Sequence, residues 1–549
     1  MNSAKKRTIL WVLSVFLIVF AAELVFGIYL SVIRSFVYYD AVSRVANAFY
    51  VLYSRDPHLG AVGFVWNPLP SLLELLPLLL WPIIPEVAAA GLASNIWTAI
   101  FAAGSAAMLL SFALRCTGSL PVSLLLTAGY ACNPFIFLYG ANGMSEAMFA
   151  FFIMWTVTSY LSWVREDRSW PAIAMGIALA SAFWIRYESV AFGFGLALAV
   201  LAVLLERRTK VIKHEGDPGK LTEAGFKIES TLIVILTPAV ISGIAWIGLN
   251  WIIMGDPLYF FHSGYSNLAF SGNITDEFRR LIDSPVGAFW LVLRKSAFFS
   301  LPFLAILGIR LLSGLWRRWD VLALLVLCGS IPAMQYVMLL NESSFGWLRF
   351  FVYPYIIAVA WVPYELAQLR RSRHYRTAAA VMCLAVFLSG FVILDMNNRE
   401  LSPDEYELFH INESGTYKDL QKAREVSQYV NELIRNSETA GKKPLILTDS
   451  YSAYSVLLNS RYPKQWVITN DRDFPEILEN PYEHGVDYIL VSRKIGAVLQ
   501  IIHETYPELF EGGTHWTELV KDFDGEWRLY RVTGSTESET DEADEPQQR

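Results

Sequence analysis

The chain is poor in what a disulfide-stapled or metal-built protein needs. Its 549 residues hold only four cysteines, Cys116, Cys132, Cys328 and Cys383. All lie in or beside apolar segments, with no C-x-x-C and no metal-ligand spacing, so they read as buried structural thiols and imply no disulfide framework. A G-x-x-x-x-G-K-[ST] phosphate loop is missing. No internal repeat is detectable, which argues against a secondary transporter, whose halves commonly repeat and break helices at the bilayer midplane. The first apolar run, Ile9 to about Ser31, has no small-residue cleavage site and exceeds a signal-peptide core, so it reads as a retained span. The last stretch, TGSTESETDEADEPQQR (533–549), has almost no apolar residues and reads as an acidic disordered tail.

What is abundant is apolar surface. A hydrophobic share of 54% and a mean hydropathy of +0.37 exceed what a soluble surface tolerates. The expected fold is a polytopic α-helical membrane protein, with residues 1–395 forming the membrane domain. Measured against spans of about 20 residues, about eleven candidates appear. They cover 9–31, 90–112, 120–139, 144–163, 171–187, 189–205, 231–253, 289–311, 320–340, 350–368 and 377–395. The stretch 71–85 carries three prolines and Glu74 and reads as re-entrant or interfacial.

Charge supplies the sidedness. The net charge of -7 hides an asymmetry: acidic residues gather after about 396, while basic clusters fall between apolar runs. With alternating topology, Arg115, Arg165, Arg168, ERRTKVIK (206–213), WRRW (316–319) and LRRSRHYR (369–376) all lie on the side of the N-terminus. Lys- and Arg-rich short loops stay cytoplasmic. The expected localisation is therefore a multi-pass protein of the plasma membrane with a cytoplasmic N-terminus. The longer loops, and everything after about 396, then face outward, where elaborate loops usually hold function.

Residues 396–532 read as a soluble extracytoplasmic α/β domain. An amphipathic run at 417–436 precedes KPLILTDS, QWVITND and DYILVSR, three buried-strand patterns separated by helical segments, and EWRLYRV reads as a final antiparallel strand. Strands alternating with helices suggest a small, mostly parallel sheet. With no G-x-G-x-x-G after its first strand, the domain reads as binding or positioning an acceptor rather than a cofactor.

Candidate site residues concentrate in the outward loops. Asp40 follows the first span and begins a polar stretch at the lip of the membrane, and an ionisable residue at such a place is a functional hypothesis by default. Asp40, Ser43, Arg44 and Asn47 recur at helical spacing, indicating an interfacial helix with a polar face. Asp40 also suits the N-cap of that helix, and the two roles are compatible. Arg55 and His58, then Trp66 and Asn67 in WNPLP, follow on an irregular path; Trp66 also fits an interfacial aromatic belt. Glu146 in ANGMSEAMF, and Arg186 and Glu188 in WIRYES, sit at the outer ends of spans, where ionised groups normally pair. Arg349 opens a late span and offers a planar fork suited to phosphate. His262 is a weaker candidate for the same cavity.

Together these features resemble the GT-C superfamily of integral-membrane glycosyltransferases, which includes protein O-mannosyltransferases, aminoarabinose transferases and arabinofuranosyltransferases. The resemblance rests on Asp40 in the first outer loop, its juxtamembrane helix, WNPLP, the MSE segment at Glu146, the RYE segment, and GWLRFFVYP, and extends over about 1–395. It implies an inverting glycosyltransferase taking a sugar from a polyprenyl-phosphate donor to a hydroxyl of a glycan, lipid or protein acceptor. Asp40 would act as general base, with Arg349, joined by Arg186 or Arg44, stabilising the departing lipid phosphate. Many members pair two acids at the first-loop position, whereas here Tyr39 precedes and Ala41 follows Asp40. No cofactor is certain, a divalent metal being one option. The bilayer is an expected partner and nucleic acid is not. The competing classes are a secondary transporter and a non-catalytic receptor or scaffold.

Overall fold

The computed structural model describes residues 3–214, 218–316, 318–439, 441–494, 496 and 499–536. It is mostly helical. Eight helices are long and apolar enough to cross a membrane, or up to ten if each of two bent pairs is one span. This corrects the count of about eleven. The segment 120–139 is the pair Leu120–Ala131 and Pro134–Ala141, bent by 64°, and 289–311 is Pro285–Ser296 with Phe298–Leu312, bent by 63°. The segment 171–187 forms only the 15-residue helix Ser169–Phe183. At 1.5 Å per residue it reaches roughly 22 Å, short of the ~30 Å hydrocarbon core.

In the stretch 71–85, residues 71–78 belong to the ten-residue helix Leu69–Leu78 and a run of turns follows, so it is also too short to cross. Cys132 is exposed at the break of the first bent pair, which corrects its reading as a buried thiol; the other three are buried.

The helix Tyr353–Leu369 is the central strut. Every residue from Tyr353 to Leu366 is buried, because other helices surround it and no face is left for lipid. Its far end holds a buried triad: Arg310 donates to Asp320 at 2.6 and 3.0 Å and to Glu365, and Trp361 Nε1 donates to Glu365 at 2.8 Å. Arg349 lies 16 residues earlier, roughly 24 Å along the axis. The triad and the Arg349 site are thus at opposite ends of the bundle.

On the Arg349 end lies the surface helix Tyr39–Tyr53. Its apolar stripe of Val42, Val45, Ala46 and Phe49 joins Val426, Val430, Ile446, Trp466 and Leu490 in one continuous core. The membrane part and the C-terminal part therefore share a hydrophobic core through this helix.

The C-terminal sheet has the order β2-β1-β3-β5-β4, with β1 Leu445–Thr448, β2 Trp466–Ile468, β3 Val486–Ser492, β4 Thr517–Phe523 and β5 Trp527–Val532. β1 pairs with β2 and β3 in parallel, and β5 runs antiparallel to both β3 and β4. Alternation along β1 sends Ile446 to the face under helix Gly415–Thr439 and Leu447 to the face under Phe474–Glu479. Strand β4 is an addition to the expected sheet. It is an edge strand with exposed Glu518, Leu519, Lys521 and Asp522, so it lacks the buried pattern that marks the others. The expected acidic tail lies outside the described residues from 537 onward.

Candidate functional site

The chain enters the surface helix from Tyr38, which is extended at φ -79°, ψ 137° and occupies the N-cap position without a side-chain cap bond. Asp40 therefore sits inside the first turn and is not the cap. A carboxylate there is favoured by the positive end of the helix dipole. Its side chain remains 38% exposed, while the Arg349 side chain facing it is 3% exposed.

Arg349 gathers carboxylates from three segments. Nη2 donates to Asp40 Oδ2 at 2.9 Å, Nη1 donates to Asp404, and Nε lies 3.3 Å from Glu146 Oε1. The guanidinium also lies 3.8 Å from the centroid of the Trp347 ring. The expected free phosphate fork is thus filled by protein acids. Asp40 Oδ1 accepts no hydrogen bond among the described residues.

Asp404 escaped the sequence reading. It stands in the first turn of helix Pro403–Phe409, just after the last apolar helix, where a run of acids looks like ordinary solvated charge. Asp404 and Asp40, more than 360 positions apart in sequence, meet through Arg349. Burial pushes the Asp404 carboxyl up to about 6, against the pull of Arg349 and with a further push from the Glu405 and Asp40 charges. Glu405 behind it is fully engaged, accepting from Tyr139 Oη and Ser402 Oγ at 2.5 Å each.

Arg186 extends the network. It donates to Glu146 at 2.6 Å, to Ser145 Oγ at 3.2 Å and to Glu188 at 2.6 and 3.1 Å. A buried guanidinium with this many acceptors is electrostatically satisfied.

Arg44 is different. One turn along the surface helix from Asp40, it lies 4.9 Å from the Trp66 ring centroid and donates only to the Asn67 carbonyl at 3.3 Å. No carboxylate among the described residues pairs with it. Burial first, then the positive charge of Arg186, hold it below the ordinary guanidinium range, against the attraction of Glu74, Asp40 and Glu146. Arginine stays protonated in proteins, so Arg44 is a cation held by one carbonyl and one aromatic ring. Asn67 anchors the WNPLP segment by donating from Nδ2 to Phe183 O at 2.6 Å, and Tyr187 Oη bonds Val65 O at 2.9 Å.

Three expected site residues lie in other networks. Arg55 clasps Asp471 and Asp473 of the C-terminal part, and the neighbouring Asp56 pairs with Arg472 at 2.6 Å. His58 Nδ1 bonds the Asp56 carbonyl at 2.8 Å. His262 bonds Asp256 at 2.7 Å on the surface, with its side chain 62% exposed. These contacts join the two parts of the chain or close a loop. Asp40, Glu146, Arg186, Glu188 and Arg349 form one network, with Arg44, Trp66 and Asn67 on its flank.

Among the described residues no group of three or more His, Cys, Asp or Glu side chains is placed to hold a metal ion. Compared with known proteins, the chain matches no protein family and no curated protein sequence.

Proposed function

We propose that this chain is an inverting glycosyltransferase that moves a sugar from a polyprenyl-phosphate donor to a hydroxyl acceptor on the extracytoplasmic side of the membrane. The observation that carries this reading is the Asp40–Arg349–Asp404 bridge, which holds one half-exposed carboxylate in place with its Oδ1 free, beside the unpaired Arg44.

In this reading Asp40 Oδ1 accepts the proton of the acceptor hydroxyl as that oxygen bonds the anomeric carbon. The bond from the anomeric carbon to the phosphate oxygen breaks, and its electron pair leaves on the lipid phosphate. A single displacement inverts the configuration and needs no covalent glycosyl-enzyme. Charge growing on the phosphate is met by Arg44, the guanidinium without a carboxylate partner. Arg349 is a positioning residue: it fixes Asp40, and sharing its charge among Asp40, Asp404 and Glu146 limits how far it weakens Asp40 as a base. The outward sidedness rests on the basic clusters at the other end of the spans, and a lipid carrier supplies activated sugar on a face without nucleotide sugars.

The test is to incubate the purified protein with a panel of polyprenyl-phosphate sugars and follow release of polyprenyl phosphate. One donor should lose its sugar and the others should not. A panel in which every donor stays intact, with and without added hydroxyl acceptors, rejects the reading in favour of a transporter or scaffold.

A further inference from the structure

At the end of the bundle opposite Arg349, two loops meet. Helix Leu92–Thr117 stops at Gly118, whose φ of 65° is left-handed. The Arg370 guanidinium reaches across to this turn: a Cβ on Gly118 would lie 3.1 Å from Arg370 Nη2. Arg115 stands in the last turn of the same helix. Arg318 donates to Gln368 and lies 3.3 Å from Asp320 of the buried triad, which draws the segment before helix Trp319–Leu340 to the same place.

The cations gathered here are not matched by acids. Arg115, Arg370, Arg371, Arg373 and Arg376 are all exposed, and neither 115–119 nor 370–376 contains Asp or Glu. Arg373 donates to His374 Nε2 at 3.0 Å, and Arg115 lies 5.9 Å from the Phe112 ring centroid. None of the five pairs with a carboxylate among the described residues. The helix end at Gly118 carries roughly half a negative charge, which cannot balance the two arginines beside it. Other basic segments at this end differ. Arg168 lies 3.6 Å from Glu166, Arg207 and Lys227 share Asp167 at 2.6 and 2.5 Å, and Lys210 pairs with Glu206 at 3.0 Å.

The unmatched arginines also stand at the right depth to meet lipid. Helices Leu92–Thr117 and Tyr375–Met396 are both long and apolar enough to cross a membrane. Arg115 is in the last turn of the first, and Arg376 is the second residue of the other. Trp316 and Trp319, 50% and 44% exposed, flank Arg318, and indoles at the end of a span sit at headgroup level. A guanidinium at that level presents a planar fork that takes phosphate oxygens in pairs. Four or more arginines immediately beside a span therefore match anionic headgroups. An acidic peptide would meet the same charges from the aqueous side, but it has no use for indoles set at the membrane surface.

We propose that Arg115 and the arginines of 370–376 form a binding site for the headgroup of an anionic phospholipid in the leaflet at that end. Neither the site nor its test rests on the transferase reading.

The test titrates the full-length protein in detergent with phosphatidylglycerol or with phosphatidylcholine of the same acyl chains, and counts bound lipids by native mass spectrometry. Phosphatidylglycerol should bind about tenfold or more tightly than phosphatidylcholine, and the preference should shrink as ionic strength rises. A variant carrying Arg370→Gln, Arg371→Gln, Arg373→Gln and Arg376→Gln together should lose the preference. Arg371→Gln alone should weaken phosphatidylglycerol binding about fivefold, the worth of one arginine at an anionic surface. Arg168→Gln with Lys210→Gln, taken from the acid-paired segments, should stay within about twofold of wild type. Thermal denaturation checks that each variant is folded, and the single exposed substitution keeps the test decisive if the fourfold variant is not. The proposal is overturned if wild type binds both lipids equally, or if the folded arginine variants bind like wild type. It is equally overturned if the acid-paired control loses as much, or if inorganic phosphate or a polyglutamate peptide displaces the lipid. No donor or transfer assay enters, so such a failure is distinct from failure of donor cleavage.

Discussion

Arg349 holds Asp40 and Asp404 on the two terminal nitrogens of one guanidinium, joining the helix after the first apolar span to the segment after the last apolar helix. One carboxylate is thereby oriented by a cation that the other also occupies. Neither acid depends on the other's position in sequence, so the pair exists only once the bundle has closed.

Asp40→Asn keeps the shape and removes the basic oxygen. Sugar transfer should fall about 10²–10⁴-fold, the usual worth of a positioned base, while affinity for the lipid-phosphate donor stays within about threefold, as Arg44 is untouched. Single-turnover transfer and donor binding, measured on the same preparation, check both halves. Near-normal transfer in Asp40→Asn would remove the base assignment.

Asp404 sets a pH dependence with a definite sign. Its carboxyl titrates at about 6 when folded, against about 3.9 in an unfolded chain. The proton is therefore held more tightly in the fold, and the associated stabilisation is complete below about 3.9 and lost as pH rises through 6. Burial outweighs Arg349 in this balance, so the neutral Asp404→Asn should match or exceed wild-type thermal stability at pH 7.5. In activity, ionising Asp404 completes the bridge, so kcat/KM should rise through an acid limb near 6. That limb should shift or vanish in Asp404→Asn. An identical limb in both proteins would assign it to another group.

Arg44→Ala should raise the dissociation constant for polyprenyl phosphate alone about ten- to hundredfold, the worth of a charge-assisted hydrogen bond. Arg44→Lys should recover only part, because a point charge lacks the fork and stacks less well on Trp66. Titration of wild type and both variants with the lipid phosphate decides this, and equal affinities would move the phosphate elsewhere.

The Arg310 triad supplies a control at the far end. Arg310→Met leaves the buried Glu365 with only Trp361 and Asp320 with Tyr364 and Arg318, and should cost about 3–5 kcal/mol of stability. Folded Arg310→Met should retain wild-type donor cleavage per molecule. A specific loss of cleavage, with stability unchanged, would show that the two ends are coupled.

Much of the site was legible because expense leaves a trace in sequence. Asp40, Glu146, Arg186, Glu188 and Arg349 stand out as ionisable groups at the ends of apolar runs, and the structure gathers all five into one network. Asp404 carried no such trace. An acid in SPDEYE looks like an ordinary polar-segment residue until the C-terminal part folds back onto the bundle. Arg55, His58 and His262 show the reverse: their types suited a polar cavity, but local partners engage them.

The length and apolarity of the helices, the buried strand patterns and the amphipathic stripe of the surface helix follow from sequence alone, because each depends on residues within a few turns of one another. Which arginine is held by carboxylates and which remains without one was decided only by tertiary structure. A guanidinium is satisfied by whichever carboxylates packing brings within about 3 Å. For Arg349 those lie at positions 40, 146 and 404, separations at which local sequence pattern carries no information.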